Sequence, residues 1–473
     1  MKQRAQNKIL KRFKIIKTLL IIISLQLHTY YAYCLTPYSN KQLEELEKEF
    51  VQQINQSDSI VRNPLANQYI NHLGRQLTRS NSSFSPYFFI VKSDEINAFA
   101  GPGGYIGLNS QLILATENES ELAGVMAHEL AHVRLHHLYR LLEHEKQMRI
   151  PLLASLLASV ALGAVNPTLG SGALMASLSG FAQDNINFIR ANEKEADRIG
   201  INMLIRSGLN PTGMANFFKK LQQHSRYFYT ANLPAILRTH PLDDDRIAEA
   251  ESRTADLKNK KYLDNLDYQL FKELIRTTVT QNPQQLFTYY KHECKRHNSN
   301  TACQYGYAIS FIKIDNYQQA QQHLMPLIKN DNNNLFYQIA MAQAETGSKQ
   351  FMASLKRLQE LQLNYPENYA ALMAYAQTLR LAGKSDQAVT ILLKGFRQFK
   401  NDLPLCEELA QAQAAAEQKG YAYFTEAQCH LLQGRQRDAL RQLKLARALA
   451  KKDQYLIARA EAMIEDIKYM AKN

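Results

Sequence analysis

Residues 125–137 read VMAHELAHVRLHH, a stretch whose histidines and acid are spaced for metal chemistry. On an α-helix His128 and His132, four residues apart, return to nearly the same face about 6 Å further along the axis. Both imidazoles therefore reach one ion. Glu129 follows the first histidine, where its carboxylate lies beside a metal-bound water and accepts that water's proton. This is the H-E-x-x-H arrangement of two zinc ligands and a general base. Leu122, Val125, Met126, Leu130 and Val133 form an apolar stripe, so the helix is predicted to be buried rather than a chance surface match. Leu135 and Leu138 stand where a metzincin carries glycine and a third histidine, which excludes that class. His136 lies another turn along the helix and roughly 80° around from His128, and is predicted to flank the site, on the substrate side or behind a ligand. His137 then points nearly opposite His128 and reads as a surface or packing histidine.

Two later segments supply more chemistry. In EKEAD, Glu193 and Asp197 share a helix face while Glu195 sits on the far side. Glu193 is the expected third zinc ligand, and Asp197 the acceptor of a hydrogen bond from a ligand imidazole, fixing its tautomer. In RTHP, His240 precedes a proline and is held extended on a loop, where it can point into a cleft. A lone histidine there is otherwise structural.

These residues need elements to hold them. The pattern from Lys41 to Gln76 is helical and polar. Tyr87 to Val91 is a strand by its aromatic and β-branched content, and GPGG at Gly101 to Gly104 is a turn that delivers Tyr105 to Leu108 as a second strand. A small sheet thus precedes the metal helix. Downstream, Gly208 ends one helix and NPTG opens the next. The run Ile150 to Ala182 is rich in small apolar residues but is broken by NPTLGSG, and neither half is long enough to span a bilayer. It reads either as a packed helical pair or as an apolar lid or membrane-facing hairpin, the source of an expected peripheral membrane contact.

From about Leu266 the character changes. DNYQQA, GSKQFMA, GKSDQA and GRQRDA each join two apolar-periodic helices, and Ala320, Ala353 and Ala388 are 33 and 35 residues apart. That is close to the 34-residue tetratricopeptide period. The last interval, from Ala388 to Ala439, is 51 residues, which implies a divergent repeat or an inserted helix. Such solenoids present a concave surface to peptides or partner proteins.

A chain of 473 residues with 45% hydrophobic content is long enough for two or three domains. Its first 34 residues have the pattern of a secretory signal peptide: seven basic residues, then the apolar run Thr18 to Leu27, then AYC ending at Cys34. An uncleaved anchor is the alternative. Removing those seven charges lowers the net charge from +13 to +6, so nucleic-acid binding loses its main support. Export permits disulfides, with Cys294/Cys303 and Cys406/Cys429 as the local pairings; buried free thiols are the other reading.

NAFAGPGGYI, NESELAGVMAHELAHVRLHH, NEKEADRIG and THP, in that order and followed by tetratricopeptide repeats, resemble the periplasmic gluzincin peptidases related to HtpX and the CaaX prenyl proteases. The resemblance runs from about residue 40 to the C-terminus. It implies one zinc ion per chain held by His128, His132 and Glu193, with Glu129 as base and Asp197 and Arg246 around them. It brings His240 to the metal centre, either to stabilise the oxyanion or to occupy the open metal position and hold the enzyme latent. The stretch Asn97, Ala98, Phe99 and Ala100, with Tyr105, is expected to bind an extended substrate by edge pairing.

The expected fold is mainly α (α+β). It comprises a signal peptide at 1–34, a helical metallopeptidase domain with a small β-sheet at 35–265, and an α-solenoid of repeats at 266–473. The resemblance implies periplasmic hydrolysis of unfolded or misassembled outer-membrane β-barrel proteins, with the barrel-assembly machinery docking on the repeats and a chaperone role for other clients. The alternative is a repeat scaffold with a silent metal site.

Overall fold

The computed structural model describes residues 39–78, 86–146, 183–227, 234–257, 262, 265–296 and 300–470. The expected signal peptide and the apolar run Ile150 to Ala182 lie outside the described residues. The described residues from Glu47 onward belong to one compact unit. Among the described residues no helix is long and apolar enough to cross a membrane.

The first half contains α1 (Asn40–Gln56), α2 (Pro64–Thr78), β1 (Tyr87–Val91), β2 (Ala98–Ala100), β3 (Tyr105–Asn109) and α3 (Ser110–Ala115). It continues with α4 (Glu119–Arg134), α5 (His137–Lys146), α6 (Gln183–Ser207), α7 (Thr212–Tyr227), α8 (Ala235–Thr239) and α9 (Asp244–Arg253). The mainly α architecture with one small sheet is as expected from the sequence.

The metal helix α4 is the centre. Every residue from Glu121 to Ala131 is buried, so the apolar stripe is one side of a helix that is covered all round. α6 and α7 approach it at small residues. A Cβ on Gly213 would stand 2.3 Å from the Ser120 carbonyl oxygen, and one on Gly124 would stand 2.9 Å from the Met214 backbone. Asn118 caps α4 by accepting from the Glu121 amide, while Glu119 and Glu121 place acids at the positive end of the helix dipole.

The sheet has the order β1-β3-β2, with β1 parallel and β2 antiparallel to β3. The short β2, in the stretch expected to bind substrate by edge pairing, is therefore an edge strand. Alternation sorts its residues by face. Phe88, Ile90, Ala98, Ile106 and Leu108 join the main core with α4, while Phe89, Phe99 and Tyr105 pack on the other face with Phe50 and Ile54. Gly103 and Gly104 take left-handed φ values of 69° and 85°, the conformations that the GPGG turn requires of glycine.

Twelve further helices are described after residue 265: α10 (Leu266–Val279), α11 (Pro283–Arg296), α12 (Thr301–Lys313), α13 (Tyr317–Asn330), α14 (Leu335–Gly347), α15 (Phe351–Asn364), α16 (Tyr369–Leu381), α17 (Ser385–Gln398), α18 (Leu403–Ala415), α19 (Lys419–Leu432), α20 (Gln436–Leu449) and α21 (Gln454–Met470). Left-handed residues follow the first helix of successive pairs at Asp315, Lys349, Gly383, Glu417 and Lys451, each 34 residues from the last. The small residue at the helix crossing keeps the same step through Ala320, Ser354, Ala388 and Ala422, all buried. Ala353 is exposed, so the intervals of 33 and 35 belong to the wrong neighbour of Ser354. The 51-residue interval has a comparable cause: Ala439 lies on α20, the first helix of its pair, one and a half repeats beyond Ala388. No helix is inserted. Cys294 is joined to Cys303 and Cys406 to Cys429, the local pairings.

The repeats pack on the first half. Tyr69 of α2 stacks on Phe271 of α10 with ring centroids 4.4 Å apart, and Gln68 accepts from the Ala370 amide of α16. Tyr268 and Lys272 of α10 reach the Thr116 hydroxyl and carbonyl just ahead of α4. Asn55 at the end of α1 donates to the Leu432 carbonyl of α19 at 2.9 Å.

Candidate active site

Four side chains converge from three elements. α4 brings His128 and His132, α6 brings Glu193, and the turn after α8 brings His240; one ligand atom from each lies within 4.8 Å of the others. His128 Nε2 is 3.0 Å from His132 Nε2 and 3.3 Å from His240 Nδ1. Glu193 carboxylate oxygens are 3.3 Å from both His128 and His132 Nε2, and 3.1 Å from His240 Nδ1.

The protons show what this cluster is built to hold. Arg246 donates to both oxygens of Asp197, at 2.7 and 2.8 Å, so Asp197 is an ionised acceptor. Its remaining partner, His128 Nδ1 at 2.8 Å, must then be the donor. A neutral His128 therefore presents a bare lone pair at Nε2 to three other potential ligands. Tetrahedral coordination with bonds of about 2.0–2.1 Å places ligand atoms roughly 3.3 Å apart. The spacings of 3.0–3.3 Å around His128 Nε2 fit that polyhedron.

Charge points the same way. Among the described residues of this buried shell, the carboxylates of Glu129, Glu193 and Asp197 face one guanidinium, that of Arg246, so the two further negative charges require protonated histidines or a bound cation. Burial opposes the ionisation of Glu193, but the charge of His240 and His132 and hydrogen bonds from His128 and His132 hold its carboxyl well below the usual range. Burial likewise opposes Asp197, and the Arg246 and His128 hydrogen bonds bring it down. For His128, burial pushes the pKa down, yet hydrogen bonds to Asp197 and Glu193 lift it to about 10. A divalent ion held there would take the place of that proton, since ligation requires the neutral imidazole.

Glu129 is fully buried, and neither of its carboxylate oxygens has a hydrogen-bond partner. His240 Nε2 approaches one of them at 3.4 Å. An acceptor left open beside a metal-binding cluster is the arrangement a general base needs. Arg246 also donates to the Pro241 carbonyl at 2.7 Å and lies over the Phe218 ring, so the T-H-P turn is fastened to the same guanidinium that holds Asp197.

The structure thus brings together His128, Glu129, His132, Glu193, Asp197, His240 and Arg246. It does not bring His136 to them. Its predicted position assumed an unbroken helix, but α4 stops at Arg134, and His136 takes a left-handed φ of 54° with its exposed ring beside Tyr139. That turn swings His137 back instead, placing its Nδ1 2.9 Å from His132 Nδ1. Burial holds the His137 pKa down at about 4, so the ring is neutral. The HH doublet was the visible signal for it; Phe218 had none. Of the expected substrate residues, Ala98 to Ala100 form edge strand β2 and Asn97 precedes it, its carbonyl accepting from the Asn109 amide. The Phe99 and Tyr105 side chains face the Phe50 cluster, which leaves backbone pairing to the strand.

Residues 64–254 match the description Peptidase family M48. The chain is 32% identical over 428 residues to the beta-barrel assembly-enhancing protease of Escherichia coli (strain K12), covering 89% of this chain and 87% of that protein. The Yersinia pestis protein of the same name is 31% identical over 423 residues, with the same coverage. Metalloprotease LoiP of Escherichia coli (strain K12) is 30% identical over 159 residues, 32% of this chain and 56% of that protein.

Proposed function

The chain belongs to peptidase family M48 and is a metalloendopeptidase, and from that premise we propose that it is a periplasmic zinc enzyme of outer-membrane protein quality control. It degrades misassembled β-barrel proteins and assists the assembly of others, as the name of its relatives suggests. The observation that carries the reading is the donor set, with ligand atoms of His128, His132, Glu193 and His240 converging within 4.8 Å of one another beside three carboxylates and a single guanidinium.

In this reading His128, His132 and Glu193 hold one zinc ion, which when bound polarises the scissile carbonyl and acidifies water. Glu129 takes the proton of the attacking water and returns it to the leaving amine. Asp197 keeps the His128 proton on Nδ1, and Arg246 keeps Asp197 ionised. His240 stands where the cluster would otherwise open, its Nδ1 among the ligands and its Nε2 toward Glu129. This arrangement is the closed one, and His240 must move for water and substrate to enter.

β2 offers its free edge to an extended substrate, which suits β-rich unfolded clients. The His240 segment is tied to that edge, since the Ile236 amide donates to the Ile96 carbonyl. Residues 35–265 form the catalytic domain and 266–473 the receptor for clients and the barrel-assembly machinery. The two disulfides favour an oxidising compartment and so an exported chain with a signal peptide at 1–34.

The test is complementation of a deletion strain by wild type and Glu129→Gln. Wild type clears misassembled barrel protein and the variant, present at equal level, does not. Full rescue by Glu129→Gln would hand the function to the repeats as a scaffold.

A further inference from the structure

His132 cannot offer its Nε2 lone pair unless its proton sits on Nδ1, and a buried Nδ1–H needs an acceptor. Among the described residues the atom that faces it is His137 Nδ1, at 2.9 Å. Two N–H groups cannot point at each other, so His137 must be unprotonated at Nδ1 and carry its proton on Nε2. That nitrogen in turn lies 3.3 Å from Glu195 Oε2, which also accepts from Arg140 at 3.2 Å. Every proton in the line Glu195, His137, His132 is thus fixed by its neighbour once His132 is a ligand.

We propose that His137 is the positioning residue of His132, fixing its tautomer and ring orientation through the Nδ1–Nδ1 hydrogen bond with Glu195 as the anchor. The inference rests on the reading of His132 as a metal ligand given above. His128 is oriented by a buried carboxylate, Asp197, whereas His132 is oriented by a neutral imidazole whose carboxylate is 35% exposed. The two ligands of one helix therefore have different supports. The left-handed turn at His136 makes the second support possible, because it ends α4 two residues after His132 and aims the next ring back at it. Histidine is among the residues that tolerate this conformation best.

The experiment measures zinc affinity by competition with a chromophoric chelator, on the full chain, for wild type, His132→Ala, His137→Leu, His137→Asn and Glu195→Ala. Metal-free melting is recorded alongside as the folding control. Loss of the outer hydrogen-bond partner of a ligand histidine weakens metal binding by about 10–100-fold, and His137→Leu is expected in that range. In His137→Asn, Oδ1 stands where Nδ1 was and still accepts from His132, so most of the affinity returns, a rescue that mere packing does not explain. Glu195→Ala, at a side chain 35% exposed, weakens binding by a smaller factor. Wild-type affinity in His137→Leu, or no recovery in His137→Asn, overturns the proposal. If His137→Leu does not fold, wild-type affinity in Glu195→Ala overturns it. Equal zinc binding by wild type and His132→Ala would instead refute the ligand reading on which it stands.

Discussion

Replacing Arg246 by methionine removes the one guanidinium of the buried shell while keeping a side chain of similar length. In the structure Arg246 makes two short bonds to Asp197, at 2.7 and 2.8 Å, and a third ion pair to Glu193 at 3.0 Å, with all three side chains at most 7% exposed. Breaking a buried pair by deleting one partner costs about 3–5 kcal/mol, because the other charge stays buried without compensation. Over the Glu47–Asn473 unit that is a fall of roughly 3–6 °C in melting temperature. The loss is expected in chelator-treated protein, where no cation can substitute for the guanidinium. Arg246→Lys keeps the charge without the fork and falls between wild type and Arg246→Met. Asp197→Asn removes one of the two stranded charges, so Arg246→Met combined with Asp197→Asn is more stable than the sum of the two single losses implies. Scanning calorimetry of the four variants measures this. An Arg246→Met protein that melts within about 2 °C of wild type, or strict additivity in the double variant, would refute the picture of Arg246 as the counter-charge of the shell.

Removing the metal with a chelator should lower the melting temperature, and added zinc should restore it in proportion to the logarithm of its concentration; no shift in either direction contradicts a buried divalent site. Gly124→Val forces a side chain into the Met214 backbone, so α7 must move away from α4 at a cost of about 1–3 kcal/mol; urea denaturation should register it, and an unchanged midpoint would mean that the two helices are not in contact. Tyr268→Phe leaves the buried Thr116 hydroxyl without that partner and is expected to cost about 1–2 kcal/mol, read in the same assay. Cys406→Ala with Cys429→Ala opens a loop of 23 residues' separation and should destabilise the last repeats by about 2–4 kcal/mol; equal thermal stability of the oxidised and cysteine-free proteins speaks against a stabilising bridge.

Much of the site could be read from spacing alone, because helical periodicity is local. The i,i+4 pairs His128/His132 and Glu193/Asp197 put their side chains on one face whatever the fold around them. His136 and His137 were misplaced for the complementary reason. Their directions depend on where α4 ends, and neither glycine nor proline marks that point in RLHH; the left-handed residue there is a histidine. In the repeats the 34-residue period was visible, but the register slipped by one at Ala353 because Ser354, the buried member of the pair, is polar and looks out of place at a crossing. It is accommodated by donating its hydroxyl to the Ala342 carbonyl. The packing of the repeats against the catalytic half left no trace in the sequence. Its contacts, Tyr69 on Phe271 and Tyr268 on Thr116, join residues far apart along the chain, and one hydrophobic cluster runs from Val61 through to Ala371 across the boundary expected at 265.

The most direct test of the account compares zinc content and cleavage of an unfolded outer-membrane β-barrel protein for wild type, Glu129→Gln and His240→Ala, purified side by side. One zinc per chain is expected in wild type and Glu129→Gln, with cleavage abolished in Glu129→Gln and raised in His240→Ala as the closed arrangement opens. Cleavage lost in His240→Ala would make that histidine catalytic rather than a latch. Wild type that holds no zinc and cuts nothing would contradict the central claim.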